Sequence, residues 1–148
     1  MNRAETAQKY NERWFQGAPF GDPAADPEYE QLARRFLCGD VLPRDGLTQA
    51  QKALVILAGL TAGNLFPALR RYTRAALSAG ATPVEIKEAI YQCAPYVGLE
   101  RARCALEEVN AAFKEAGVSL PTPPQGSVTE EDRFEKGLDV QRHIFGRE

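Results

Sequence analysis

Three cysteines, one histidine and two groups of charged side chains are the residues of this 148-residue chain that could do chemistry. Cys93 stands in TPVEIKEAIYQCAPYVG, residues 82–98, with Glu88, Tyr91 and Tyr96 close by in sequence. A thiol beside a carboxylate and phenols can act as a nucleophile or a redox centre once it is deprotonated. The same spacing gives a second reading. Ile86, Ile90 and Cys93 recur at i, i+4, i+7, and on such a face a cysteine also serves as a small buried hydrophobe. The negative end of a helix raises a thiol pKa, so a reactive Cys93 near a helix C-terminus needs a cation from elsewhere. Cys104 could pair with Cys93 only if their Cα atoms come within about 7 Å. The odd cysteine count and the lack of a CxxC motif favour separate reduced thiols. Cys38 follows Phe36–Leu37 and precedes Gly39, which reads as a core or loop position.

Glu85 and Glu88 lie three apart on one helix, and Glu108 follows later. Paired carboxylates can share acid and base work when burial separates their pKa values. Glu85, however, completes a capping box with Thr82, and a glutamate such as Glu88 is usually solvated. Arg70, Arg71 and Arg74, with Arg101 and Arg103, form a basic group. They could hold a carboxylate bidentately, or they could be solvated faces and ion pairs between subunits. His143 is the single histidine, with no zinc-ligand partner at the usual spacing, and is expected to be exposed. HExxH, GxGxxG, a P-loop and G-x-S-x-G are absent, so no metal and no cofactor is expected.

The elements that must position these residues read as helices throughout. Residues 4–16 form a polar helix ending at Gly17, and APFGDPAADP, 18–27, is a loop. Asp26 with Pro27 predicts an N-cap and a proline at N1. That helix carries Leu32 and Phe36 and is expected to end near Gly39. Thr48 and Gln51 make a capping box for a helix with Leu54, Leu57, Ala58, Thr61 and Ala62 on one face. Asn64–Pro67 interrupts it, and a helix from Pro67 to Ala79 presents Leu69, Tyr72, Ala76 and Ala79. Thr82, Pro83 and Glu85 start the next helix, which Pro95 is expected to stop. A helix over 100–116 follows, with Leu106, Val109 and Phe113 on its apolar face. The proline-rich linker 118–128 leads to a last helix over 130–145, capped by Thr129 with Asp132. Its few apolar residues suit docking on a surface of this or a neighbouring subunit. Strand patterns are absent, and the expected class is all-α. The expected division is a helical domain over 1–117, with its core at about 47–116, and a linker with a docking helix over 118–148.

Composition excludes several classes. The hydrophobic share is 44% and the formal charge -2, with a pI of about 5.6. A nucleic-acid binder would be clearly basic. No apolar run is long enough to cross a bilayer, and MNRAETAQKYNERW has no apolar signal core. A cytoplasmic protein with reduced thiols is expected.

The block GLTQAQKALVILAGL…LRRYTRAALSAGATPVEIKEAIYQCAPYVG resembles the core of the carboxymuconolactone decarboxylase family, within the AhpD-like superfamily. FLCGDVLPRDGL is similar to the stretch before that core, and VTEEDRFEKGLDVQRHIFG to a C-terminal extension of small single-domain members. The resemblance implies an AhpD-like helical fold that assembles with itself, as trimers or hexamers. It also implies either decarboxylation of a lactone diacid or a two-cysteine peroxide reaction. The second uses a relay spaced E-x11-C-x2-C-x3-H. Its positions fall here on Ala53, Leu65, Ala68 and Tyr72, which excludes the disulfide mechanism on chemical grounds. Tyr72 could still move a proton, although a phenol near pKa 10 is a poor base at neutral pH.

The leading expectation is a family member with an altered site, acting on a small organic acid or as a thiol-dependent peroxidase. Cys93 would be the nucleophile or redox thiol. Tyr72, Tyr96 and Glu88 would handle protons, and Arg70 or Arg74 would anchor an anion. The alternative is an oligomeric binding or scaffold protein that has lost the relay, and the last reading is true decarboxylase activity through substituted residues.

Overall fold

The computed structural model describes residues 2–146, and among these residues the chain is all-helical, without strands. The helices are α1 (Arg3–Phe15), α2 (Pro27–Arg34), α3 (Gln49–Ala62), α4 (Phe66–Ser78), α5 (Pro83–Val97), α6 (Leu99–Glu115) and α7 (Arg133–Phe145). A π-helical segment, Arg35–Val41, continues α2 without a break.

The helix starts follow local chemistry. Thr48 and Thr82 each accept the N–H three residues on, and Gln51 and Glu85 return the bond to the cap backbone. Asn2 and Glu5 form a third box at the head of α1. Asp26 stands at the predicted cap with Pro27 at N1, but its side chain makes no capping bond. The helix expected to end near Gly39 runs on to Val41 in π-helical form. The wider turn packs closely on α1, where Gly39 meets Arg3 and Ala7 and a Cβ would sit 3.3 Å from Arg3. Arg3 pairs with Asp40 at the same contact. The last helix begins at Arg133 rather than 130. Asp132 accepts the Thr129 N–H at 2.7 Å, so the two residues are joined opposite to the expected sense.

Pro95 does not stop α5, which continues to Val97 and ends at Gly98, φ +94°. Proline removes one N–H from the helical ladder, but here the cost is confined to an exposed position. The glycine, free to take a positive φ, provides the actual end.

The core is built between α1, the π-helical segment and α3 to α6. Trp14, Leu57, Leu69, Ile86, Ile90, Val109 and Phe113 are fully buried among many alanines. The α3 stripe is Ala53, Leu57 and Thr61, with Leu54 half-buried, so it is rotated slightly from the predicted face. Trp14 Nε1 donates to Gln49 Oε1 at 3.0 Å, and Gln49 Nε2 donates to Leu42 O at 3.1 Å. These bonds tie α1, α3 and the end of the π-helical segment together. By contrast, α7 packs against no other helix and buries no residue. Phe134, Ile144 and Phe145 are all exposed along it. No helix among the described residues is long and apolar enough to cross a membrane.

One core residue is out of keeping with its surroundings. Asn11 is 0% exposed on the face of α1 that carries Ala7, Trp14 and Phe15, and neither Oδ1 nor Nδ2 has a partner. An unpaired buried amide costs about 1–3 kcal/mol. Asn11→Leu is therefore expected to stabilise the fold by about 1–2 kcal/mol, by removing that penalty at similar volume. A fall in the urea unfolding midpoint would refute this.

Candidate functional site

Helix α4 divides its arginines between two directions. Arg70 and Arg74, at i and i+4, face α6. Arg70 Nε lies 3.0 Å from Glu108 and its Nη1 3.5 Å from Glu115, while Arg74 Nη1 lies 2.9 Å from Glu115. Their side chains are about half exposed, so such pairs contribute no more than about 1 kcal/mol each. These two predicted anion anchors already have carboxylate partners.

Arg71 points about 100° away around the helix, toward the end of α1 and the loop after it. Its guanidinium carbon lies 4.6 Å from the Phe15 ring centre and 4.5 Å from that of Phe20. The two rings meet edge to face at 5.1 Å. Such cation–π contacts stabilise a cation without neutralising it. Arg71 Nη2 donates to Ala18 O at 3.4 Å, a weak bond, and its buried Nε has no partner. No carboxylate pairs with it among the described residues, in contrast to Arg70 and Arg74. Burial lowers its pKa somewhat, and the neighbouring Glu30 opposes that shift.

Tyr72 is half-buried next to it, its ring edge-on to Phe15 at 5.4 Å. Burial pushes its phenol up, and the Arg71 charge pulls it partly back. It is a neutral hydroxyl at ordinary pH, suited to donate a hydrogen bond rather than to accept a proton.

Below these residues lie Glu30, Arg34 and Cys38, from α2 and the π-helical segment. Glu30 is 6% exposed. It accepts the N–H of Phe20 at 2.5 Å, that of Gly21 at 3.1 Å and Arg34 Nη2 at 2.8 Å. Burial alone would raise its pKa. The Arg34 bond and the two backbone donors outweigh burial and hold the carboxyl below its ordinary value. Cys38 is 0% exposed, and burial raises its thiol to about 11 despite the opposing charges of Arg34 and Arg71. It is inert as a nucleophile at neutral pH.

Cys93 sits on α5, one turn before the helix end. It is nearly buried, and its Sγ donates to Ala89 O at 3.2 Å. Burial raises its pKa, and no charged group opposes this. Glu88 is exposed and Tyr96 is 80% exposed. The predicted set of Cys93, Tyr72, Glu88 and Tyr96 is therefore spread over two helices and both solvent and core. All three cysteines are free thiols. At the relay positions Ala53 is buried, Leu65 exposed and Ala68 half-buried. His143 is exposed, and no acidic, thiol or histidine cluster suited to a metal exists among the described residues. Surface recesses line α7 between Glu130 and Gly146 and involve none of the residues above, because they are the flanks of a helix standing apart.

The sequence profile of the Carboxymuconolactone decarboxylase family matches residues 27–111. The chain belongs to the carboxymuconolactone decarboxylase family. It is 33% identical over 92 residues to the 4-carboxymuconolactone decarboxylase of Acinetobacter baylyi, a match covering 62% of this chain and 69% of that protein. The family stretch runs from the start of α2 into α6. It therefore includes Glu30, Arg34, Cys38, Arg71, Tyr72 and Cys93, and it excludes Phe15 and Phe20. In this member of the carboxymuconolactone decarboxylase family, the arginine lies within the shared region and its two aromatic neighbours lie before it.

Sequence reasoning gathered Arg71 with the other arginines and did not single it out, and it passed over Glu30 and Arg34. A helical-wheel signal was available for Arg71, because Arg70 and Arg74 share a face that Arg71 does not. The i,i+4 spacing of Glu30 and Arg34 signalled their ion pair, but nothing in it signalled the Phe20 and Gly21 backbone donors nine and ten residues earlier.

Proposed function

We propose that this protein is a carbon–carbon lyase acting on a small lactone acid, in the manner of the decarboxylase it resembles, with Arg71 as the carboxylate anchor. The observation that carries this reading is the state of Arg71. It is a partly buried guanidinium, packed against two rings, with no carboxylate paired to it among the described residues.

In such a reaction the bond between carbon and a carboxylate breaks, and CO₂ leaves. The electron pair left on carbon spreads into the lactone carbonyl, and a proton is then added to carbon. An arginine paired with the departing carboxylate would stabilise the ground state and slow the step. Arg71 therefore fits the carboxylate that is kept, orienting a diacid so that its other carboxylate lies elsewhere. Tyr72, a neutral phenol beside it, fits as donor to the developing negative charge. Tyr72→Phe is expected to lower the rate of CO₂ release from carboxymuconolactone by about 10²-fold, measured by gas evolution or lactone consumption. Undiminished turnover would remove Tyr72 from the chemistry, and absence of any turnover by the unaltered protein would overturn the lyase reading.

A binding protein without turnover is the second reading, favoured by the aliphatic residues Ala53, Leu65 and Ala68 at the relay positions. It keeps carboxylate binding at Arg71 and predicts no CO₂. The thiol-dependent reading draws little support from the raised Cys93 thiol. Loss of peroxide consumption in Cys93→Ser would favour it.

A further inference from the structure

Arg71 is covered in this structure, and its cover is held by few bonds. Residues 16–26 leave α1 through two left-handed positions, Gln16 at φ 54° and Gly17 at φ 75°. They rejoin the helices at Asp26, whose side chain makes no capping bond. Most bonds of the segment are local: Ala18 N–H to Phe15 O, Ala24 N–H to Asp22 Oδ1 and Asp26 N–H to Asp22 O. At its two ends Gln16 N–H and Gly17 N–H donate to Glu12 O and Asn11 O of α1, and Asp26 O accepts the Glu30 N–H. Between them, its polar attachments to the helices are the Glu30 carboxylate, which accepts the Phe20 and Gly21 N–H groups, and the weak Ala18–Arg71 contact. Phe20 is half-buried, and residues 21–26 are exposed.

The part of Arg71 that lacks good partners has a definite shape. Phe15 and Phe20 lie 4.6 and 4.5 Å from its Cζ, side by side and edge to face with each other. Nε is unpaired, and Nη2 has only the 3.4 Å contact. Nε–H and Nη2–H form one edge of the guanidinium, the edge that grips a planar carboxylate through two parallel hydrogen bonds. A phosphate dianion would meet the nearby Glu30 charge with an extra negative charge, so the singly charged planar group is the better match.

We propose that residues 16–26 form a hinged cover over Arg71, latched by Glu30. A carboxylate of a small organic acid takes the Nε–Nη2 edge when Ala18 and Phe20 lift away. This rests on the reading of Arg71 as an anchor. Glu30 is a positioning residue in this scheme, acting through the Phe20 and Gly21 backbone. The covering residues 16–26 precede the family-matched region, and the latch Glu30 lies within it.

The test uses the full chain, with maleate as the carboxylate probe. Glu30→Gln removes the charge that holds two backbone donors, and Phe20→Ala removes the ring without touching the latch. Both are expected to speed maleate association, Glu30→Gln about tenfold, the size of effect set by losing a charge-assisted hydrogen bond. Glu30→Gln is also expected to speed amide exchange at Phe20 and Gly21 by a similar factor. Arg71→Gln is expected to abolish binding. Unchanged association rates in both cover variants, with binding still lost in Arg71→Gln, would overturn the cover and leave the anchor standing. Unchanged maleate affinity in Arg71→Gln would overturn the anchor, and the cover with it.

Discussion

On the proposed lyase reading, Arg71→Gln is expected to lower kcat/KM for a lactone diacid by about 10³-fold, the largest expected effect of any substitution. Removing the charged partner of a desolvated carboxylate costs about 2–5 kcal/mol, and losing its orientation adds to that. Arg71→Lys should recover only part of the loss, because a point charge on a flexible stem cannot replace a planar fork packed against two rings. Arg70→Gln and Arg74→Gln provide the contrast. Their charges are already paired with Glu108 and Glu115 at a half-exposed surface, so each should stay within a few-fold of the unaltered protein. Steady-state kinetics on the three variants, with thermal melts to show that each is folded, would check this ordering. Equal losses at Arg70 and Arg71 would contradict it.

What the sequence made legible was whatever depended on near neighbours. The capping boxes of Thr48 and Thr82 involve residues three apart, so their signal is complete within one turn. The all-helical class followed from periodicity summed over many such windows. The failures were at places where distant partners decide. Pro95 looked like a stop, yet α5 needs only one fewer bond to pass it, and Gly98 sets the end. The π-helical turn after Arg34 depends on packing against α1, which no window of α2 contains. Arg70, Arg71 and Arg74 look alike as a string. They separate only when α6 brings Glu108 and Glu115 to one side and α1 brings Phe15 to the other. Family resemblance sharpened the fold but not the site, because the relay positions carry Ala53, Leu65, Ala68 and Tyr72. The resemblance led to Tyr72 through the histidine position. It did not lead to the arginine beside it, whose significance comes from lacking a carboxylate partner among the described residues.

Phe113→Ala is expected to destabilise the fold by about 3–5 kcal/mol, toward the upper end of that range. Phe113 is 0% exposed near the end of α6, within a core that mixes alanines with larger side chains such as Trp14, Leu57, Leu69 and Ile90. Ala75, Ala76, Ala102, Ala105 and Ala112 are buried in the same cluster or on the same helix. Alanine has no rotamer with which to fill a void, so the space left by a phenyl ring would stay largely open and its lining would lose contacts outright. Relief could come through rotamer shifts of the larger core side chains or through helix movement, and α6 is tied to α4 by the Arg70 and Arg74 ion pairs, which resist sliding weakly. The same geometry separates stability from activity. Arg71 and Tyr72 contact α1 and the loop after it, on the side of α4 away from those ion pairs. Molecules of Phe113→Ala that remain folded should therefore keep kcat/KM within a few-fold, while the urea midpoint falls steeply. A variant that lost activity while keeping its midpoint would show that α6, rather than α1 and its loop, holds the reacting residues in place.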